Sequence, residues 1–188
     1  MATTSDIRKG LCIRYNNDIY KIIDFLHVKP GKGPAFVRTK IRNLNTGRIL
    51  DNTFTSGVKI EIIRIENRAS QFLYTDGDSF HFMDKNSFEQ LAIPKELINA
   101  PEYLKEGNIA EIIFYTDENR PISCNLPANV ILKVKSTEPG EKGNTATNAL
   151  KPAILETGAK VNVPLFINEE DHIKVDTNSG QYLERVNI

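Results

Sequence analysis

The sequence predicts an all-β protein made of three small consecutive barrels, and three features carry that expectation. Apolar, β-branched and aromatic residues come in short runs, separated by clusters of Asn, Gly, Pro and Asp that punctuate strands and tight turns. One stretch alone, 87–91 with Pro94 beyond it, allows a short helix. Charge changes along the chain in three blocks: eleven Lys/Arg against five Asp/Glu in residues 1–63, six against eleven in 64–128, and seven against eight in 129–188. Seams are therefore expected near 63 and 128, giving domains 1–63, 64–128 and 129–188.

Composition limits what such a chain can do. Its 188 residues and 40% hydrophobic content suit a soluble globular protein of one large domain or two to three small ones. No run approaches the roughly 18 apolar residues of a membrane span. The polar start Met-Ala-Thr-Thr-Ser-Asp has no apolar leader region, so a cytoplasmic location without membrane contact is expected. Cys12 and Cys124 are too far apart in sequence to suggest a disulfide framework or metal site and read as free buried thiols. Nucleophile and base pairs, metal clusters and cofactor loops are missing, which points away from an enzyme and from any cofactor. The zero net charge hides a basic first third, and nucleic acid would meet the chain there.

Taken in order, 11–15 and 18–26 are strands joined through Asn16-Asn17. A Gly/Pro tip, 27–36, follows. In the next strand Phe36, Arg38, Lys40 and Arg42 fall on one face, and Val37, Thr39 and Ile41 on the other. Alternate residues lie about 6.8 Å apart along a strand, so this basic stripe can touch several phosphates, although a solvated strand face reads the same way. A turn at Asn45-Thr46-Gly47 leads to strands 48–55 and 58–65, completing a small SH3-like barrel. The second segment holds a hairpin turning at Asp76-Gly77 and a strand pair at 109–115 and 121–126. His81 there has no metal-ligand spacing around it and reads as structural or surface. The third segment has strands at 130–135, 160–163, 172–175 and 181–186, with a long polar loop over 138–149. Both later segments match an OB fold in size and approximate strand count.

The tip His-Val-Lys-Pro-Gly-Lys-Gly-Pro-Ala-Phe sets Lys32 between Gly31 and Gly33, bracketed by Pro30 and Pro34. Glycines without Cβ leave the lysine uncrowded, while the prolines fix φ and restrict their predecessors. Lys32 should project outward. A solvated turn lysine satisfies the same pattern. A phosphate-binding P-loop does not, because the spacing is wrong and a strand follows where a helix should start. A lysine nucleophile is disfavoured too, since a bare tip offers no burial to lower its pKa.

Four stretches together resemble the bacterial elongation factor P family of translation factors: residues 29–38 around the lysine tip, Glu89-Gln90-Leu91, Thr137-Glu138-Pro139-Gly140, and Lys151-Pro152-Ala153 through Gly158 to Phe166. The resemblance spans the chain. It implies an SH3-like (KOW-type) amino-terminal barrel followed by two OB-fold barrels in an L-shaped, tRNA-like arrangement. It also implies a monomer that binds the ribosome between the peptidyl-tRNA and exit sites and promotes peptide-bond formation at consecutive prolines. Lys32 would be the lysine extended by a modifying enzyme, with Lys29, Arg38, Lys40, Arg42, Tyr182 and Arg185 facing tRNA or rRNA. Tyr182 and Arg185 would point to opposite sides of a straight strand, so twist, a bulge or separate roles is expected. The family usually has glycine where this chain has Glu170, and loop 144–150 lacks the paired glycines of some members. A left-handed Glu170 would cost roughly 1 kcal/mol. The competing reading is a generic OB-fold nucleic-acid-binding protein, which needs a basic aromatic groove where this chain is acidic.

Overall fold

The computed structural model describes residues 2–139 and 149–187. Three antiparallel-rich sheets, each drawn from one stretch of chain, make up the fold. The first contains β1 (Ala2–Thr3), β2 (Cys12–Tyr15), β3 (Asp18–Val28), β4 (Phe36–Asn43), β5 (Ile49–Thr55) and β6 (Lys59–Ile63), in the order β1-β6-β2-β3-β4-β5. The second has β7 (Ile65–Thr75), β8 (Ser79–Asp84), β9 (Gln90–Pro94), β10 (Ile109–Tyr115) and β11 (Arg120–Asn125), ordered β11-β10-β7-β8-β9. The third has β12 (Asn129–Thr137), β13 (Leu150–Leu155), β14 (Lys160–Pro164), β15 (His172–Asp176) and β16 (Tyr182–Val186), ordered β14-β13-β12-β15-β16.

In the first sheet the β2–β3 turn places Asn16 and Asn17 at φ 48° and 67°, the paired left-handed geometry that matches strand twist in a tight hairpin. Along β3 the register with β4 passes from Ile22↔Ile41 to Asp24↔Lys40, so Ile23 is an extra, bulged residue. The bulge reverses which residues of β3 face inward. Tyr20 and Ile22 point to the core before it, and Phe25 packs on the same core after it. Ile7, Ile13, Val37 and Ile41 complete that core, and the face of β4 bearing Arg38, Lys40 and Arg42 is left to solvent.

Two sequence expectations fail for local reasons. No helix forms over 87–91. Asp84 accepts the backbone N–H groups of Asn86 (2.7 Å) and Ser87 (3.0 Å), closing a turn, and Phe88 then takes φ 61°. A left-handed residue cannot continue a right-handed helix, so the chain reverses and pairs β9 with β8. The described helical turns are short 3-10 segments at Thr4–Asp6, Lys95–Leu97 and Pro101–Tyr103. Strand β13 was hidden by Pro152. That proline lies beyond Ala153↔Thr137, the last β12 pairing, where a missing N–H costs no ladder bond on that side.

The chain divides into two compact units, Met1–Asn67 with Ile113–Ser123, and Arg68–Ile112 with Cys124–Ile188. Within the first unit Ile113, Tyr115 and Ile122 share one apolar cluster with Cys12, Ile19 and Ile63. The tip of the β10–β11 hairpin thus belongs to the amino-terminal unit, which charge alone did not reveal.

Candidate functional site

Strand β4 follows period two along its whole length: Val37, Thr39, Ile41 and Asn43 are buried, while Arg38, Lys40 and Arg42 are exposed. The buried polar members are satisfied. Thr39 Oγ1 donates to the Asn52 carbonyl at 2.9 Å, and Asn43 Nδ2 donates to Asp18 at 3.0 Å. An unpaired buried group would cost more than a made bond returns, so these contacts help fix the register that turns the three cations outward.

The exposed face is more varied than a plain row of cations. The Arg38 guanidinium lies 5.5 Å from the centre of the Phe36 ring, within cation–π range. Across the ladder Arg38 faces Leu26, and Lys40 sits between Asp24 and Asp51. Asp24 is already engaged with Lys9 at 2.8 Å. Its carboxyl is held below the usual range, first by the Lys9 hydrogen bond and then by the Phe25 backbone, with Lys40 contributing charge. Sequence alternation found the stripe but missed these flanking residues, because they belong to neighbouring strands and only pairing register identifies them.

Residues 29–35 connect β3 to β4, and Lys29 through Pro34 are all exposed. Gly33 takes φ +110°, and a Cβ placed on it would lie 3.9 Å from Pro30 Cγ. Gly31 does not adopt positive φ. Lys32 makes no hydrogen bond or ion pair among the described residues. Lys29, Lys32, Arg38, Lys40 and Arg42 therefore share one hairpin.

The other two candidates, Tyr182 and Arg185, lie on β16 in the second unit. Register with β15 passes from Lys174↔Glu184 to Val175↔Tyr182, which makes Leu183 an extra residue. Tyr182 and Arg185 consequently oppose Val175 and Ile173, two apart on β15, and share a side of the sheet. Tyr182 is half-buried beside an open cleft of about 660 Å³ that also involves Leu150, Lys160 and Gln181. The Arg185 guanidinium packs 5.9 Å from the Phe166 ring centre and lies 3.9 Å from Asp171. Glu170 is left-handed at φ 72° and pairs with Lys133. Of the loop 144–150, residues 144–148 lie outside the described residues, as does Gly140 of the Thr137–Gly140 motif.

The remaining polar candidates are a paired histidine and two buried thiols. His81 pairs with Asp76 at 2.8 Å and stacks on Tyr74 with ring centres 4.5 Å apart. Cys12 and Cys124 are free and buried. Burial raises both thiol pKa values, that of Cys124 to about 12. Among the described residues no group of three or more His, Cys, Asp or Glu could hold a metal ion. Among them, too, no helix is long and apolar enough to cross a membrane.

Three family models match in succession: the elongation factor P KOW-like domain over residues 3–60, the elongation factor P OB domain over 65–124, and the elongation factor P C-terminal model over 130–185. Elongation factor P of Flavobacterium johnsoniae is 61% identical over 186 residues, covering 99% of each chain. That of Christiangramia forsetii is 58% identical over the same length and coverage. Among solved structures, a translation initiation factor eif-5a family protein from Naegleria fowleri aligns with a TM-score of 0.51 at 13% identity, covering 66% of this chain and 96% of that one. At that identity the likeness concerns the fold alone.

Proposed function

The chain belongs to the elongation factor P family and is a translation elongation factor, and from that premise we propose that Lys32 is its working tip, which positions peptidyl-tRNA on the ribosome. The factor occupies the space between the peptidyl-tRNA and exit sites and promotes bond formation at consecutive prolines. The supporting observation is a lone, exposed Lys32 on a hairpin whose outward face carries Arg38, Lys40 and Arg42.

The factor itself has no chemical step to perform. Proline fixes φ and reacts through a hindered secondary amine, so reactive geometries are rarely reached. Holding the peptidyl-tRNA end lowers the ordering cost of the transition state, and orientation can contribute several kcal/mol, with roughly 7 to 11 as an upper range. A slim cationic tip can pass between RNA backbones, while the cations behind it neutralise phosphates and set direction. The factor is accordingly non-catalytic, and peptidyl transfer remains the ribosome's reaction.

Further residues of this chain take part in the same function. A lysine-modifying enzyme extends Lys32, Lys29 adds a phosphate contact, and Tyr182 with Arg185 forms a second RNA contact from the carboxy-terminal sheet. The protein works in the cytoplasm as a monomer. Its three modules are 1–63, 64–128 and 129–188, each built around one sheet.

Charge reversal tests this reading. The triple variant Arg38→Glu, Lys40→Glu, Arg42→Glu should weaken ribosome binding and flatten its salt dependence by about one unit of slope per lost phosphate contact. Lys85→Glu with Lys95→Glu serves as the comparison. Lys105 is unsuited to that purpose because it pairs with Glu156 at 3.0 Å. Equal losses in the two variants would refute oriented docking through β4.

A further inference from the structure

Within the second unit, residues 98–105 lie between strands of the second sheet yet touch the third sheet at two separate turns. The segment starts against β11: Ile98 bridges Cys124, and the Asn99 backbone N–H donates to the Cys124 carbonyl at 2.9 Å. Ala100 then takes φ 56°, and Pro101–Tyr103 follows as a 3-10 turn. A non-glycine residue in the left-handed region is strained, and such strain persists where surrounding contacts over-determine it. Tyr103 supplies one such contact. It is only 5% exposed, and a Cβ built on Gly180 would lie 2.7 Å from its hydroxyl oxygen, so the ring stands over the backbone of the β15–β16 turn. Asn99 Nδ2 donates to Asn178 Oδ1 of the same turn at 3.5 Å. Lys105 reaches the β13–β14 turn instead, pairing with Glu156 at 3.0 Å, and Glu156 also accepts the Lys133 backbone N–H at 2.9 Å.

The β15–β16 turn matters because of what leaves it. The Gly180 N–H donates to the Asp176 carbonyl at 2.8 Å, the Asp176 N–H donates to the Gln181 carbonyl at 2.9 Å, and Tyr182 follows as the first residue of β16. Strand β16 lies at the edge of its sheet, so it has a ladder on one side only, and the extra Leu183 interrupts that ladder directly after Tyr182. The direction of Tyr182 therefore depends on the turn before it more than on strand pairing. Apart from the chain neighbours of Gly180, Tyr103 alone among the described residues comes within 4 Å of the Cβ position there, and glycine lets the ring approach this closely. We propose that Tyr103 is a positioning residue for the RNA contact on β16: its ring holds the 177–180 turn and so aims Tyr182. The acidic second segment thus contributes to RNA binding without touching RNA, by bracing the strand that does. This inference rests on the reading of Tyr182 and Arg185 as an RNA contact.

The test uses the full-length protein, isolated from the native cell, on ribosomes making a polyproline peptide. Synthesis rate is measured against factor concentration, so that half-saturation and maximal rate are read separately, at two temperatures below the measured melting point of each variant. Tyr182→Ala should raise the half-saturating concentration about tenfold, the size of one lost base–aromatic stack. Tyr103→Leu keeps apolar bulk but not the reach to Gly180; it should raise half-saturation roughly threefold or more, and adding it to Tyr182→Ala should change nothing further. Tyr103→Phe keeps the ring and should stay within about twofold of wild type. Independent, multiplying effects in the double variant would overturn the inference. A Tyr103→Leu defect that disappears at the lower temperature would also overturn it, because stability alone would then account for the loss. Wild-type half-saturation by Tyr103→Leu, with Tyr182→Ala impaired, would overturn it and leave the RNA contact standing. Wild-type half-saturation by Tyr182→Ala would overturn the underlying reading and this inference with it. If Tyr103→Leu does not fold, Gly180→Ala takes its place: its methyl meets the hydroxyl at 2.7 Å and should raise half-saturation, and Tyr103→Phe should restore it. Failure of Tyr103→Phe to restore it would overturn the inference.

Discussion

Gly180 offers a sharp test of packing in the second unit. It takes φ +69°, and a Cβ built there would lie 2.7 Å from the Tyr103 hydroxyl oxygen, with the next atom, Tyr103 Cζ, at 3.8 Å. Two costs follow for Gly180→Ala. Left-handed backbone at a non-glycine residue costs about 1–2 kcal/mol. The oxygen contact adds overpacking of about 1–3 kcal/mol, because Tyr103 is only 5% exposed and its ring cannot swing away. The single variant should thus lose about 2–5 kcal/mol. Removing the hydroxyl with Tyr103→Phe leaves the 3.8 Å ring carbon as the nearest atom, an ordinary contact. In that background Gly180→Ala should cost only the backbone part, about 1–2 kcal/mol. A double-mutant cycle measured by denaturant unfolding, with hydrogen exchange of the Gly180 and Asp176 amides that close this turn, isolates the difference. The expected coupling is about 1–3 kcal/mol, well beyond the roughly 0.3–0.5 kcal/mol scatter of independent sites. Additive effects would show that the hydroxyl does not constrain this turn.

Lys32→Ala should change stability by no more than about 0.5 kcal/mol, since Lys32 is exposed and makes no hydrogen bond or ion pair among the described residues, yet abolish rescue of polyproline stalls. Lys32→Arg keeps the charge but cannot take a lysine-specific extension, and it should fail largely as well; full activity would show that charge suffices. Asp84 and Asp176 have carboxyl pKa values below 3.8, chiefly through the N–H groups of Ser87 and Ser179 respectively. A depressed folded-state pKa contributes stability above the unfolded value that is lost as pH falls through the folded one, so melting temperature should drop below about pH 4, less steeply in Asp84→Asn. A melting temperature equally steep in that variant would remove Asp84 from the account. Cys12 and Cys124 should resist a thiol reagent at pH 8 until the protein unfolds, because buried thiols of raised pKa hold little thiolate; rapid native labelling would contradict their burial.

Much of the lysine hairpin could be read from sequence because its physics is local. One buried face imposes alternation on β4, so Arg38, Lys40 and Arg42 had to share the other face once the strand was recognised. The Asn16-Asn17 turn was legible for the same reason, since few residues tolerate two consecutive left-handed conformations. Non-local features left no such mark. The helix expected over 87–91 yielded to one Asp84 side chain closing a turn, and the strand through Pro152 depended on which partner lay beside it. The seam expected near 63 from charge gave no hint that Ile113, Tyr115 and Ile122 pack in the amino-terminal unit, because charge reports surface and these are core residues.

Bulges are the extreme case. A single inserted residue changes no composition and barely alters a hydrophobic pattern, yet it reverses the facing of everything beyond it. On β16 that reversal bears on the RNA contact proposed for Tyr182 and Arg185. A straight strand would separate Tyr182 from Arg185 and argue for unrelated roles; the extra Leu183 brings both to the side of Ile173 and Val175. An aromatic ring and a guanidinium on one side of an edge strand can meet the same RNA segment, the ring by stacking and the cation by phosphate contact. The bulge therefore turns two residues that sequence spacing sets apart into one candidate contact, and the joint role proposed for them depends on Leu183 remaining outside the ladder.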